Sequence, residues 1–188
     1  MRIEFTREIE HLGILDKLRP FDPVVIGTPP LGIDVANNDI DIACSYDDLD
    51  RFKMDSTTQF ECFKNFEIRD STAQNEESVV VQFSALNWDI ELFCQSIPTG
   101  QQWGVRYFRI EKRLLAVVPK LKATVIKLRQ SGLKTEPAFA IALGLSGDPY
   151  LALLDLEHEG HDELLQLVET QPKVMENRPH SDPNTKLG

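Results

Sequence analysis

The pattern of apolar and polar positions falls into two regimes. Between residues 24 and 95 the chain offers short β-branched runs and stretches of strict alternation, interrupted by one helical segment; from residue 101 onward apolar positions recur at helical spacing. At the start, Ile9, Leu12, Leu15 and Leu18 share one face of a helix predicted over residues 3–18, with Gly13 weakening its middle. Arg19-Pro20-Phe21-Asp22-Pro23 stops that helix and feeds a buried strand, Val24-Val25-Ile26. A second strand carries Asp39-Ile40-Asp41-Ile42. A helix follows, capped by Asp47 or Asp48 and carrying Leu49, Phe52 and Met54 toward Phe60 and Phe63. Residues 69–78 are polar and read as a loop. Residues 79–84 and 88–95 read as an antiparallel hairpin turning at Leu86-Asn87. Beyond Pro98-Thr99-Gly100 the pattern predicts helices over 103–118 and 120–130, broken at Pro119 and ended by Gly132. Another begins at Thr135-Glu136-Pro137, and a further one is opened by Asp148-Pro149. The expected organisation is a sheet domain over 1–98, a helical subdomain over 99–170, and a polar tail over 171–188 expected to be flexible.

Two features inside residues 24–43 suggest chemistry. The strand period of two puts Asp39 and Asp41 on one face and Ile40 and Ile42 on the other. The isoleucines anchor the strand while two like charges converge, an arrangement that favours a cation between them. A hard divalent ion with oxygen ligands, Mg²⁺ or else Mn²⁺, is the natural occupant. Upstream, Gly27 permits close backbone approach to a ligand, and the Thr28 hydroxyl can donate to a phosphate oxygen. A solvated hairpin edge is the competing reading. In the later hairpin, Asp89 and Glu91 share one face opposite Ile90 and Leu92, repeating the pattern.

Composition narrows the classes. The 188 residues suffice for a sizeable core, and the 41% hydrophobic and 27% charged fractions are ordinary for a globular chain. No apolar run is long enough for a membrane span, and the start lacks the apolar segment of a signal peptide. Cys44, Cys62 and Cys94 are widely spaced within apolar segments, which suggests reduced thiols and a cytoplasmic location. A net charge of −10 argues against an extended nucleic-acid face but not against a nucleotide met by local cations and metal. Arg106, Arg109 and Arg113 fall on one helix side with Lys112 beside them. They meet a triphosphate or acidic acceptor on one reading, and on the other form a solvated face paired with Glu111.

A Gly-Thr turn followed by Asp-x-Asp between hydrophobic residues resembles the signature of the nucleotidyltransferase fold, the polymerase-beta-like superfamily; Thr28 stands where its pattern has Ser or Gly. Together with Asp89-Ile90-Glu91-Leu92-Phe93, with residues 132–139 (GLKTEPAF) and with Gly147-Asp148-Pro149-Tyr150, it is similar to one bacterial family of unknown function in that superfamily, over roughly residues 10–155. The resemblance implies an α/β (α+β) fold: a mixed or antiparallel sheet with flanking helices, followed by a helical subdomain. It implies that Asp39 and Asp41 hold metal, with a third carboxylate from the neighbouring strand, Glu91 or, second, Asp89. Gly27 and Thr28 would position phosphate, and Lys134 is a further candidate for it. The implied reaction moves a nucleoside monophosphate from a nucleoside triphosphate, expected to be ATP, to a hydroxyl of a small molecule or a protein. The alternative is a silent nucleotide-binding or protein-interaction module on the same fold.

Overall fold

The computed structural model describes residues 4–35 and 39–169; the tail expected from residue 171 lies outside them. Five strands, β1 (Val24–Ile26), β2 (Ile40–Ser45), β3 (Lys64–Ala73), β4 (Glu76–Ala85) and β5 (Trp88–Gln95), form one mixed sheet in the order β1-β2-β5-β4-β3. β2 and β5 run parallel and every other pair is antiparallel. The parallel pair requires a long crossover, supplied by helix α3 (Leu49–Phe60) and the β3-β4 hairpin. One face of the sheet is apolar: Ile40, Ile42 and Cys44, then Ile90, Leu92 and Cys94, then Val79, Val81 and Phe83. It packs on Ile9 of α1 (Phe5–Leu12), Ile14 of α2 (Ile14–Lys17), and Phe52 and Phe60 of α3. Each such side chain contributes about 1.5–3 kcal/mol by leaving water. Asp39, Asp41 and Glu91 consequently sit on the opposite face, because their neighbours are committed to the core.

Two local expectations need correction. The helix predicted over 3–18 is broken, because Gly13 adopts φ 60° and caps α1 with a left-handed residue. The loop predicted over 69–78 is instead the β3-β4 hairpin. Its two-residue turn, Gln74-Asn75, has positive φ at both positions (55° and 63°), which matches the right-handed twist of paired strands. β3 is an edge strand with largely exposed residues, so its sequence lacks the apolar alternation that marks a half-buried strand. Its order comes from pairing with β4. The cap of α3 is Asp48, whose Oδ1 accepts from the Arg51 amide at 3.0 Å.

The second half is helical: α4 (Trp103–Val117), α5 (Leu121–Gln130), α6 (Thr135–Ala142), α7 (Pro149–Leu154) and α8 (His161–Glu169). These helices bury a separate apolar cluster that includes Ile110, Leu114, Val125, Phe139 and Leu153, and that takes in Leu31 and Ile33 from the loop after β1. The halves are tied at their junction. Gln102 Nε2 donates to the carbonyls of Cys44 (2.7 Å) and Ile97 (2.9 Å), and Thr99 Oγ1 to that of Asp22 (2.8 Å). Of the face expected for the α4 arginines, Arg109 and Lys112 are exposed, but Glu111 is buried and does not belong to it. Arg106 pairs with Glu157, its Nε 3.0 Å from both carboxylate oxygens, and Arg113 donates to the carbonyls of Leu156 and Glu157. Arg109 donates to the Gly100 carbonyl at 2.9 Å. These side chains clasp the end of α7 and the linker into α4.

Candidate active site

The loop leaving β1 is built around Gly27. Its φ of 81° lies in the left-handed region, and a Cβ there would stand 2.2 Å from Asp41 Oδ2. Only glycine lets the Asp41 carboxylate lie against the backbone of this turn. Thr28 is buried, and its carbonyl accepts from the amides of Leu31 (3.2 Å) and Ile33 (3.3 Å), so the loop is closed on itself. β1 pairs with β2 so that Ile26 lies opposite Asp41, which brings the turn level with the carboxylate.

Gly27, Thr28, Asp39 and Asp41 line one half-open cavity of about 310 Å³. Its other wall comes from the helices: Tyr107, Phe108 and Glu111 of α4, Arg129 of α5, Thr135 and Glu136 of α6. A second cavity of about 290 Å³ runs along the sheet past Ser84, Asp89 and Glu91, and Asp39 borders both. The register aligns Asp41, Glu91, Gln82 and Glu67 as one row across four strands. Gln82 Nε2 donates to Glu91 Oε2 at 2.7 Å, and Arg69 Nη2 reaches the same oxygen at 3.4 Å. Asp89 is exposed and accepts from Ser84 Oγ at 2.5 Å, which itself accepts from Asn65 Nδ2 at 3.0 Å.

Electrostatics separates the two candidates for the third carboxylate. The Asp41 carboxyl is pushed up to about 7, first by burial, then by the charges of Glu91 and Asp39, with Arg129 opposing. Glu91 thus acts directly on Asp41, whereas Asp89 is not among the groups that do. Among the described residues no three His, Cys, Asp or Glu side chains stand close enough to enclose a metal ion. The donor chemistry nonetheless suits a hard divalent ion: an all-oxygen set whose mutual repulsion raises Asp41, with two members facing one cavity.

Lys134 is exposed at the N-terminus of α6, and the cavity lining begins one residue later, at Thr135. The cation that lines the cavity is Arg129, whose Nη1 donates to the Ile33 carbonyl at 2.9 Å. Burial draws its pKa down while Glu111, Glu136, Asp34 and Asp41 oppose that shift, and it remains a guanidinium. The sequence reading missed Arg129 and treated Glu111 only as a partner for surface arginines. A signal for Glu111 was present: it stands between Ile110 and Leu114 on the buried face of α4, where a carboxylate has no packing role.

A family model described as Domain of unknown function (DUF4269) matches residues 7–156. No curated protein matches the sequence. Among solved structures, the Cid1 poly(U) polymerase with MgGTP bound is similar at TM-score 0.52 and 13% identity, over 74% of this chain and 48% of that one. A second Cid1 structure, described for its RNA terminal uridylyl transferase activity, gives TM-score 0.53 and 13% identity over 74% and 47%. Cid1 in complex with the UTP analogue UMPNPP gives 0.51 and 12% over 74% and 47%. The chain spans about half the length of these polymerase structures. The likeness shows the nucleotidyltransferase fold, with its five-stranded mixed sheet and flanking helices.

Proposed function

The chain belongs to the family described as Domain of unknown function (DUF4269), and from that footing we propose that it is a nucleotidyltransferase acting with Mg²⁺ on ATP or another nucleoside triphosphate. The observation that carries the reading is the meeting of Asp39 and Asp41 with the Gly27-Thr28 turn in one cavity. Asp39 and Asp41, joined by Glu91, would hold Mg²⁺, which supplies charge neutralisation for the phosphates and the departing pyrophosphate. The Gly27 backbone and the Thr28 hydroxyl orient a phosphate. Arg129, anchored to the same loop through Ile33, adds a fixed positive charge beside it. The acceptor enters along the second cavity, because Asp39 borders both and so marks where the two substrates meet.

In the transfer, an acceptor hydroxyl oxygen bonds to the α-phosphorus, the bond from that phosphorus to the pyrophosphate oxygen breaks, and the hydroxyl proton passes to a carboxylate. Glu91 is that base: its Oε2 is held by Gln82 and its position beside Asp41 is set by strand register. Asp89 is the weaker candidate, because the register sets Glu91, and not Asp89, opposite Asp41. Lys134, exposed beside the cavity mouth, has no role in this scheme. The acceptor is a small molecule or a protein, and a cytoplasmic setting with reduced cysteines accords with the scheme.

Incubation with Mg²⁺, labelled nucleoside triphosphates and candidate acceptors should release pyrophosphate and label an acceptor. Asp41→Asn should abolish metal-dependent transfer while the fold persists; full activity in that variant would sink the scheme. Triphosphate binding without pyrophosphate release would favour a silent nucleotide-binding module. The engagement of Glu91 with Gln82 and Arg69 lends that alternative some support.

A further inference from the structure

The two walls of the 310 Å³ cavity differ in chemistry. The sheet wall carries the turn and the paired aspartates. The opposite wall is one face of α4, Gly104, Tyr107, Phe108 and Glu111, at helical spacings of three, four and seven, with Arg129 of α5 and Thr135 and Glu136 of α6 beside it. Arg129 serves the phosphate scheme, but nothing in that scheme calls for Glu111 or Glu136.

Glu111 is the unusual member. It is 4% exposed, it lines the cavity, and its Oε1 has no hydrogen-bond partner. A buried polar atom left unmatched is destabilising, and here, on a cavity wall, a donor from water or a ligand can complete the bond. Burial raises its proton affinity and the charge of Glu136 raises it further, with Arg129 opposing, so the two carboxyl groups sense each other. In either protonation state Glu111 offers an acceptor oxygen to an N–H donor. Tyr107 and Phe108 add aromatic surface, which suits a planar amino-bearing ring or an ammonium.

We propose that this wall, Glu111 and Glu136 flanked by Tyr107 and Phe108, is a binding site for an amino group of the substrate. As a statement about substrate class it rests on the nucleotidyltransferase reading. The amino group belongs either to the nucleobase, whose phosphates occupy the sheet wall of the same cavity, or to an amine-bearing acceptor. Both sources present the same N–H donors.

Two titrations test it by calorimetry on the full chain with Mg²⁺ present. The first compares ATP with inosine triphosphate, which replaces the 6-amino group by a carbonyl. The second uses spermidine, which has amines and no base. If the nucleobase is the source, ATP binds about tenfold more tightly than inosine triphosphate, and Glu111→Leu removes the difference. If the acceptor is the source, the two triphosphates bind alike, spermidine binds the wild type, and Glu111→Leu loses it. Glu136→Gln serves as the second variant should the leucine variant misfold, and it weakens the same interaction. Equal binding of both triphosphates together with no Glu111-dependent spermidine binding overturns the proposal. Absence of any triphosphate binding defeats the nucleotidyltransferase reading instead, while the spermidine titration still decides whether the wall takes an amine.

Discussion

At the residue scale the site is a set of carboxylates kept in place against their own preference. Asp41 is raised to about 7 by burial and by Glu91 and Asp39, and Glu111 is raised well above the ordinary carboxylate range by burial and Glu136. Natural proteins accept such local destabilisation where function needs it. For Glu111 the sign is definite. The folded state holds the proton more tightly than the unfolded chain, so its contribution is most favourable below the ordinary carboxylate range and is lost as pH rises through that range to the raised value. Glu111→Gln removes this titration. The variant should match the wild type near pH 4 and exceed its stability at pH 8 by about 1–3 kcal/mol. Urea denaturation at the two pH values checks this. Because Asp41 titrates in both proteins, its own pH dependence cancels from the comparison. A wild type that is the more stable at pH 8 would mean that Glu111 is partnered in solution.

At the element scale, α4 positions the helical wall. It lies close against β1, where a Cβ on Gly104 would stand 3.2 Å from Ile26 Cδ1, and its arginines grip the far side of the helical half. The Arg106–Glu157 pair is partly buried, with side-chain exposures of 29% and 23%. Arg106→Ala should therefore cost about 1–3 kcal/mol in urea denaturation, while Mg·ATP affinity changes little because Arg106 does not line the cavity. A loss below about 0.5 kcal/mol would place the pair with ordinary surface ion pairs. Elements also differ in how well the sequence announces them. β5 is plain because it alternates, and β4 from Val79 onward because it carries a buried β-branched run; β3 is not, because an edge strand of exposed residues carries no burial pattern and is ordered by its neighbour. Gly13 is a weak point by composition, and in the structure its left-handed conformation divides the first helix.

At the scale of the whole molecule, two hydrophobic clusters stand on either side of the cavity, one under the sheet and one among the helices. A ligand bridging the walls links elements that otherwise meet where α4 lies against β1, through the loop after β1 and at the junction near Gln102. Mg·ATP at a hundredfold excess over its Kd should add about 2.7 kcal/mol, which raises Tm by roughly 5–10 °C for a chain of this size. Mg²⁺ alone should do much less, and Asp41→Asn should abolish the nucleotide effect in differential scanning calorimetry. An equal rise with Mg²⁺ alone would indicate that the carboxylates, not the bridged walls, govern the response.

The sequence by itself determined what the backbone period dictates: strands at 24–26 and 88–95 and one carrying Asp39 to Ile42, paired acids on one face with isoleucine and leucine on the other, a glycine turn before them, and a change to helices after residue 98. These follow from local geometry, since alternation is a property of one strand and needs no partner. Only the tertiary structure decided that Glu91 rather than Asp89 lies beside Asp41, because that depends on the register between β2 and β5. It alone also brought Glu111 and Arg129 into the cavity lining. Residues dozens of positions apart converge through helix docking, which is governed by burial summed over the whole chain rather than by any one segment.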